Sequence, residues 1–122
     1  MKVFIMTDVE GTAGVQNMAQ WRYPEGRYYS KAKELLTLET NAAIEGFLAG
    51  GATEILVADG HGPGAINQEM LHPEAKLVRY WHKGTPSVYL VEGRFDFMAH
   101  IGRHPMAGTT GGHLSHTEAV SM

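Results

Sequence analysis

Lys2-Val3-Phe4-Ile5-Met6-Thr7 runs directly into Asp8-Val9-Glu10-Gly11, and the fold turns on how this junction is read. An unbroken apolar stretch that includes Val and Ile is the pattern of a strand buried on both faces, as in a parallel sheet. It stops at an acidic, glycine-bearing loop. Beyond it, Gly11 to Arg27 has no clear period, but Trp21, Tyr23, Tyr28 and Tyr29 crowd beside Arg22 and Arg27. Local packing is the plainer reading of that cluster, and cover for a pocket the sharper one. Ser30 is placed to cap a helix running to about Ala49, with Ala32, Leu36, Ala43 and Phe47 on one face and Ile44 and Leu48 widening it. Gly50-Gly51 ends that helix and leads into Thr53-Glu54-Ile55-Leu56-Val57-Ala58, a second buried-strand pattern. Strand, helix, strand is a βαβ unit with a right-handed crossover.

Further along, Lys76 to Trp81 and Ser87 to Leu90 are short strand candidates, and Phe95 to Ile101 is an apolar run ending in Gly102-Arg103-His104. The fold class read from this order is α/β: a mostly parallel sheet with flanking helices. The stretch from Gly108 to Met122 is rich in Gly, Thr, Ser and His and has loop composition, so residues 1–122 are expected to form a single α/β domain that is itself incomplete.

Composition narrows the chemistry. The chain has 122 residues, enough for one core that buries about two-thirds of the surface exposed by the unfolded chain. It has no Cys, which excludes disulfides and thiolate zinc sites, so any metal must be held by oxygen and imidazole. Ten Lys and Arg against 13 Asp and Glu, with no basic run, give no footprint for nucleic acid. Val3 to Met6 is too short for a signal-peptide core or a membrane span, and the expected location is cytoplasmic without membrane attachment.

Potential ligands stand at the C-terminal end of three strand candidates: Asp8 and Glu10 after the first, Asp59 and His61 after the second, His104 after the last. In a parallel α/β sheet these ends share one edge, where such folds place their sites. Singly, each has a bland reading as a solvated carboxylate, a turn or a loop corner. Their common position after apolar strands favours a site, since chance would scatter them over helix faces too. Two carboxylates and two imidazoles form a mixed oxygen and nitrogen set suited to Zn, Mn, Fe or Co. A carboxylate shared between two ions about 3.5–4 Å apart is the arrangement that hydrolyses amides and phosphates, and Asp8, nearest its strand, is the natural bridge. His113 and His116, in a glycine-rich stretch near His104, are placed for one of them to polarise a carbonyl or carry a proton. His72 and His82 are read as packing or surface residues.

Four ordered motifs carry a resemblance: Asp8-Val9-Glu10-Gly11-Thr12-Ala13-Gly14, Val57-Ala58-Asp59-Gly60-His61-Gly62, Gly102-Arg103-His104-Pro105-Met106-Ala107-Gly108-Thr109 and Ser115-His116-Thr117. In order and spacing they resemble the zinc-dependent D-aminopeptidases of the dipeptide-transport-operon type, the DppA-like family. The similarity extends over nearly the whole chain, including Thr40 to Gly46 and Leu71 to Ala75. The resemblance implies a dinuclear zinc aminopeptidase acting on small peptides with an N-terminal D-residue, such as D-Ala-D-Ala. By the same resemblance, Asp8 bridges both zincs, Glu10 and His61 complete one site, His104 binds the second ion, and His116 is the catalytic histidine. Ring-like homo-oligomers are implied as well. The chain departs from the pattern in three places: Arg103 stands where an aromatic residue is usual, His113 where an apolar one is, and a further glutamate ligand expected downstream of Ser115-His116 has no counterpart, Glu118 being too close. The resemblance therefore reads as a shortened member covering the N-terminal half of the family fold.

Two rivals remain at this point. One is a metal-binding remnant of the same family that has lost turnover. The other is a haloacid-dehalogenase-type phosphatase, in which Asp8 of Asp8-Val9-Glu10-Gly11-Thr12 is a nucleophile; that chemistry needs Mg and leaves His61, His104 and His116 without purpose.

Overall fold

The computed structural model describes residues 1–79 and 93–117. In chain order the elements are β1 (Lys2–Thr7), α1 (Met18–Trp21), α2 (Tyr29–Ala49), β2 (Glu54–Asp59), β3 (Ala75–Val78) and β4 (Phe97–Ile101). Among the described residues the strands form one four-stranded sheet in the order β3-β2-β1-β4, with every pair parallel. The α/β class and parallel sheet expected from the sequence are therefore present. β1 is central, with Ile5 opposite Val57 of β2 on one side and Ala99 of β4 on the other. The chain lays β2 and then β3 outward from β1, and later returns to place β4 on the other edge of β1. The order thus reverses between β1 and β4, and in open α/β sheets such a reversal is where sites form, at the C-terminal ends of the strands.

The continuous apolar run of β1 serves two faces. Side chains alternate along a strand, so Val3 and Ile5 join Trp21, Leu36, Ile44, Ile55 and Val57 in the core beneath α2. Phe4 and Met6 point the other way and pack with Ala58, backed by Leu56, Val78, Phe95 and Met98. Phe95 meets Phe4 with ring centroids 5.6 Å apart. It lies outside β4 because Asp96 closes the sheet edge first: Lys2 N–H donates to its carboxylate (2.8 Å) and Asp96 N–H to the Lys2 carbonyl (2.9 Å), so pairing begins at Val3 and Phe97.

The helix begins slightly earlier than the sequence predicts. Ser30 is not the N-cap; it lies in the first turn, and Tyr28 takes the cap position without a side-chain bond. The reason is tertiary: Tyr29 is buried, and its hydroxyl donates to the Gly64 carbonyl, which fixes the start of α2 against the loop after β2. At the other end Gly51 adopts the left-handed conformation (φ 99°) and donates to Leu48, as the Gly50-Gly51 pair predicts. The polar residues of α2 hold the loops that leave β1 and β2. Glu39 accepts from Ala13 N–H, Thr37 Oγ1 from Asn67 N–H, and Asn41 bonds both Met70 and His72. β3 ends at Val78; Tyr80, Trp81 and the Ser87 to Leu90 candidate lie outside the described residues. Among the described residues no helix is long and apolar enough to cross a membrane.

Candidate metal centre

Each potential ligand is set by a short loop leaving a strand. Asp8 follows β1 directly; Val9 turns back into the core, and Glu10 returns beside Asp8. The β1 loop interlocks with the loop after β4: Asp8 N–H donates to the Ile101 carbonyl (3.0 Å) and Gly11 N–H to that of Gly102 (2.8 Å). A Cβ on Gly11 would overlap the Arg103 carbonyl, and one on Gly102, itself at φ 72°, would overlap that of Asp8. Only glycine allows this approach, and the approach is what sets His104 against Asp8. The β2 loop is held by Asp59, whose buried carboxylate accepts from Ala65 N–H (2.9 Å) and Ile66 N–H (3.0 Å) and pairs with Arg79 Nε (3.0 Å). His61 projects from this clamped loop.

Four side chains from three loops thereby meet. Asp8 addresses two imidazoles with different oxygens: Oδ1 lies 3.3 Å from His61 Nδ1, and Oδ2 lies 3.2 Å from His104 Nε2. Glu10 Oε1 is 3.4 Å from His61 Nδ1 and 3.8 Å from His116 Nε2. His116 stacks on His104 with centroids 3.4 Å apart and planes 21° from parallel. Asp8, Glu10 and His61 form one group of potential ligand atoms within 4.8 Å of one another, and Glu10, His104 and His116 form a second. Asp8, Glu10, His61 and His104 are all buried, and His116 is half-buried.

The imidazole tautomers follow from their outer partners. His61 Nε2–H donates to the Arg22 carbonyl (2.6 Å), His104 Nδ1–H to that of Pro105 (2.8 Å), and His116 Nδ1–H to that of Leu114 (2.8 Å). A carbonyl only accepts, so each ring must hold a proton on that side and turns its other nitrogen toward the carboxylates. Orientation of a ligating imidazole by its distal N–H is the usual support of a metal centre. Leu114, a non-glycine residue at φ 50°, aims its carbonyl at His116 while its side chain packs on the core. Backbone strain of this kind persists where surrounding structure enforces it.

Two buried carboxylates at such close range need positive charge. Burial, reinforced by the neighbouring Glu10, pushes the Asp8 carboxyl up despite the hydrogen bond from His61. Burial opposes ionisation of Glu10 as well, but the hydrogen bonds from His61 and Asp8 and the charge on His61 outweigh it and hold Glu10 well below the usual carboxylate range. His61, although burial disfavours its charge, is pushed up to about 9 by Asp8 and Glu10. A proton on His61 thus supplies part of the cationic charge the pair demands. Glu10 Oε2 is buried and has no hydrogen-bond partner among the described residues. An orphaned anionic oxygen beside hard oxygen and borderline imidazole donors is what a zinc site presents before loading.

Asp8, Glu10, His61, His104 and His116 are brought together as the sequence reading placed them. Asp59 is not: it is the last residue of β2, and its carboxylate is taken up by the loop clamp. His113 is also elsewhere, donating through Nε2 to the Val15 carbonyl (2.7 Å). His72 binds Glu45 (2.6 Å), the structural role expected of it, and His82 lies outside the described residues. Arg22 was missed. The aromatic stretch does pack locally, Trp21 stacking on Tyr28 at 5.0 Å, but it also lays Arg22 on the site, Nε 3.1 Å from Glu10 Oε1. The readable signal was a cation embedded among exposed-type aromatics in a segment lacking periodicity.

Comparison with known proteins points one way. A family model described as D-aminopeptidase, Peptidase M55, matches residues 1–122. A D-aminopeptidase of Bacillus subtilis (strain 168) is 30% identical over 112 residues, covering 91% of this chain and 40% of that protein. A solved structure described as the Zn-dependent D-aminopeptidase DppA from Bacillus subtilis, a self-compartmentalizing protease, superposes with a TM-score of 0.83 at 31% identity, over 98% of this chain and 43% of the other. The chain therefore spans about two-fifths of the length of the relatives it matches.

Proposed function

Since the chain belongs to the D-aminopeptidase family, Peptidase M55, we propose that it is a zinc aminopeptidase hydrolysing small peptides with an N-terminal D-residue, D-Ala-D-Ala among them, at a dinuclear centre. The observation that carries this reading is the convergence of Asp8, Glu10, His61 and His104, with Glu10 Oε2 buried and without a hydrogen-bond partner among the described residues. Zinc, which the solved relative is described as requiring, would be held by Asp8, Glu10 and His61 at one position and by Asp8 and His104 at the other. The two oxygens of Asp8, each facing a different imidazole, suit the bridging role.

When bound, such ions supply Lewis-acid polarisation of the scissile carbonyl and ready water for attack. The remaining work falls to the chain. Asp8 would offer a carboxylate oxygen to each position and Glu10 one to the first, and the carbonyls of Arg22 and Pro105 keep His61 and His104 from turning. His116 is the catalytic residue of this reading. Its near-parallel stack on His104 favours a role off the ions, because two rings with centroids 3.4 Å apart cannot direct lone pairs at one ion across a tetrahedral angle. With Nδ1–H held by Leu114, Nε2 is free to take a proton from the attacking water and return it to the leaving amine.

A ring-like homo-oligomer belongs to the same proposal, supported by the self-compartmentalizing description of the solved relative. The exposed Met106, on the loop after β4, is suited to a subunit contact. The deciding experiment measures zinc per chain by elemental analysis alongside D-Ala-D-Ala hydrolysis before and after chelation. Two zincs with chelator-sensitive hydrolysis support the peptidase. One zinc or none without hydrolysis favours the catalytically impaired remnant.

A further inference from the structure

Arg22 touches the site twice, from a segment that belongs to none of the strand-end loops. Its carbonyl accepts from His61 Nε2, and its guanidinium Nε lies 3.1 Å from Glu10 Oε1. That second contact is unusual. The Nε atom is buried yet makes no aligned hydrogen bond, so the pair is held by charge without the directional fit of a settled arginine–carboxylate bridge. Arg22 Nη1 donates to the Met18 sulfur (3.4 Å), a weak acceptor, and the guanidinium lies over the Tyr23 ring at 4.7 Å. Tyr23 is 39% exposed, so this ring offers the guanidinium a resting place at the rim of the site.

We propose that Arg22 is a positioning residue acting as an exchangeable counter-ion: its guanidinium takes the cation's place on Glu10 Oε1 in the metal-free chain and yields that oxygen when the ion of the Asp8, Glu10 and His61 position enters. The inference rests on the dinuclear reading above. Its physical content is a competition. A unit positive charge beside the ligand carboxylate keeps Glu10 extended toward His61 before loading, but it repels an incoming divalent ion over a short, poorly screened distance. Arg22 therefore preserves the shape of the site while lowering its affinity for metal.

The test measures Zn2+ affinity of the full 122-residue chain by competition with a chromophoric chelator, for wild type, Arg22→Gln and Arg22→Lys. Arg22→Gln removes the charge and keeps the backbone carbonyl that holds His61, and it is expected to bind its tighter zinc about tenfold or more strongly. Arg22→Lys keeps the charge and is expected to stay within about threefold of wild type. Far-UV circular dichroism and tryptophan fluorescence establish that each variant is folded. Unchanged or weaker zinc binding by folded Arg22→Gln overturns the role of Arg22 and leaves the peptidase reading intact. If Arg22→Gln does not fold, Arg22→Lys decides: the role is overturned if its affinity rises as it would on loss of charge. A wild-type chain that binds no zinc overturns both.

Discussion

His61 carries a proton at neutral pH, and this gives the metal-free chain a pH dependence of definite sign. Its folded pKa of about 9 stands above the ordinary 6.5 because Asp8 and Glu10 face it, against the cost of burial. The stabilisation is full below pH 6.5, where the unfolded chain is protonated too, and is lost as pH rises through 9. The urea midpoint of chelator-treated protein is expected to fall across that interval, and His61→Ala should remove the fall. His116 makes a different prediction because it stands beside the proposed ligands without being one of them. His116→Ala should lower kcat by about 10²–10⁴-fold, the usual worth of a general acid or base, with zinc content per chain unchanged. Elemental analysis beside the kinetics checks both halves. At this scale the convergence of the five candidate residues was legible in the sequence, because each sits one to a few residues past a glycine or the end of an apolar run. The sequence did not separate Asp8 from Asp59, both of which stand at strand ends. That distinction is made by the N–H groups of Ala65 and Ile66 and by Arg79, which claim Asp59 from beyond its own turn.

The loops are the elements on which the site depends, and two of them invite substitution. Gly102→Ala places a Cβ in the left-handed region and against the Asp8 carbonyl. Strain of this kind costs about 1–3 kcal/mol, so urea unfolding should register at least that loss. Because the same contact seats His104, zinc content should drop toward one ion per chain. Asp59→Ala should cost about 2–4 kcal/mol by urea unfolding, since it orphans two buried N–H groups and the partly exposed Arg79. It should also weaken zinc binding about 10–100-fold through the loosened His61, measured with the same chelator competition. The elements themselves divide by how local their signal is. β1, α2 and β2 were readable from unbroken apolar runs, a helical face and a Gly-Gly stop. The start of α2 was misjudged because a buried tyrosine hydroxyl, and not a serine cap, decides it. The reach of β4 was overestimated by two residues, since apolarity alone does not show that Asp96 closes the edge and frees Phe95 for Phe4.

For the molecule as a whole, the parallel sheet and the family were legible, whereas the reversal of strand order was not, because which edge of β1 receives β4 is a tertiary choice. The segment bearing Arg22 was opaque for the same reason: its contacts are with Glu10 and His61, and no period along the chain announces them. Ion binding should be felt throughout the fold, since a ligand that binds only the native state stabilises it by about 2.7 kcal/mol at a hundred times Kd. Thermal unfolding followed with and without zinc should show a rise of several degrees that a chelator reverses. The interlock of Gly11 with Gly102 has a consequence for the order of events during synthesis. Strand, helix and second strand can form on a chain still emerging from the ribosome, but His104 meets Asp8 only after its own loop has been made and has docked across the oldest part of the fold. Contacts between such distant segments are the slow ones to form. Of the two groups of candidate ligands, Asp8, Glu10 and His61 can therefore assemble within the strand, helix and strand that form first, whereas the group that includes His104 is completed only once β4 has joined the sheet.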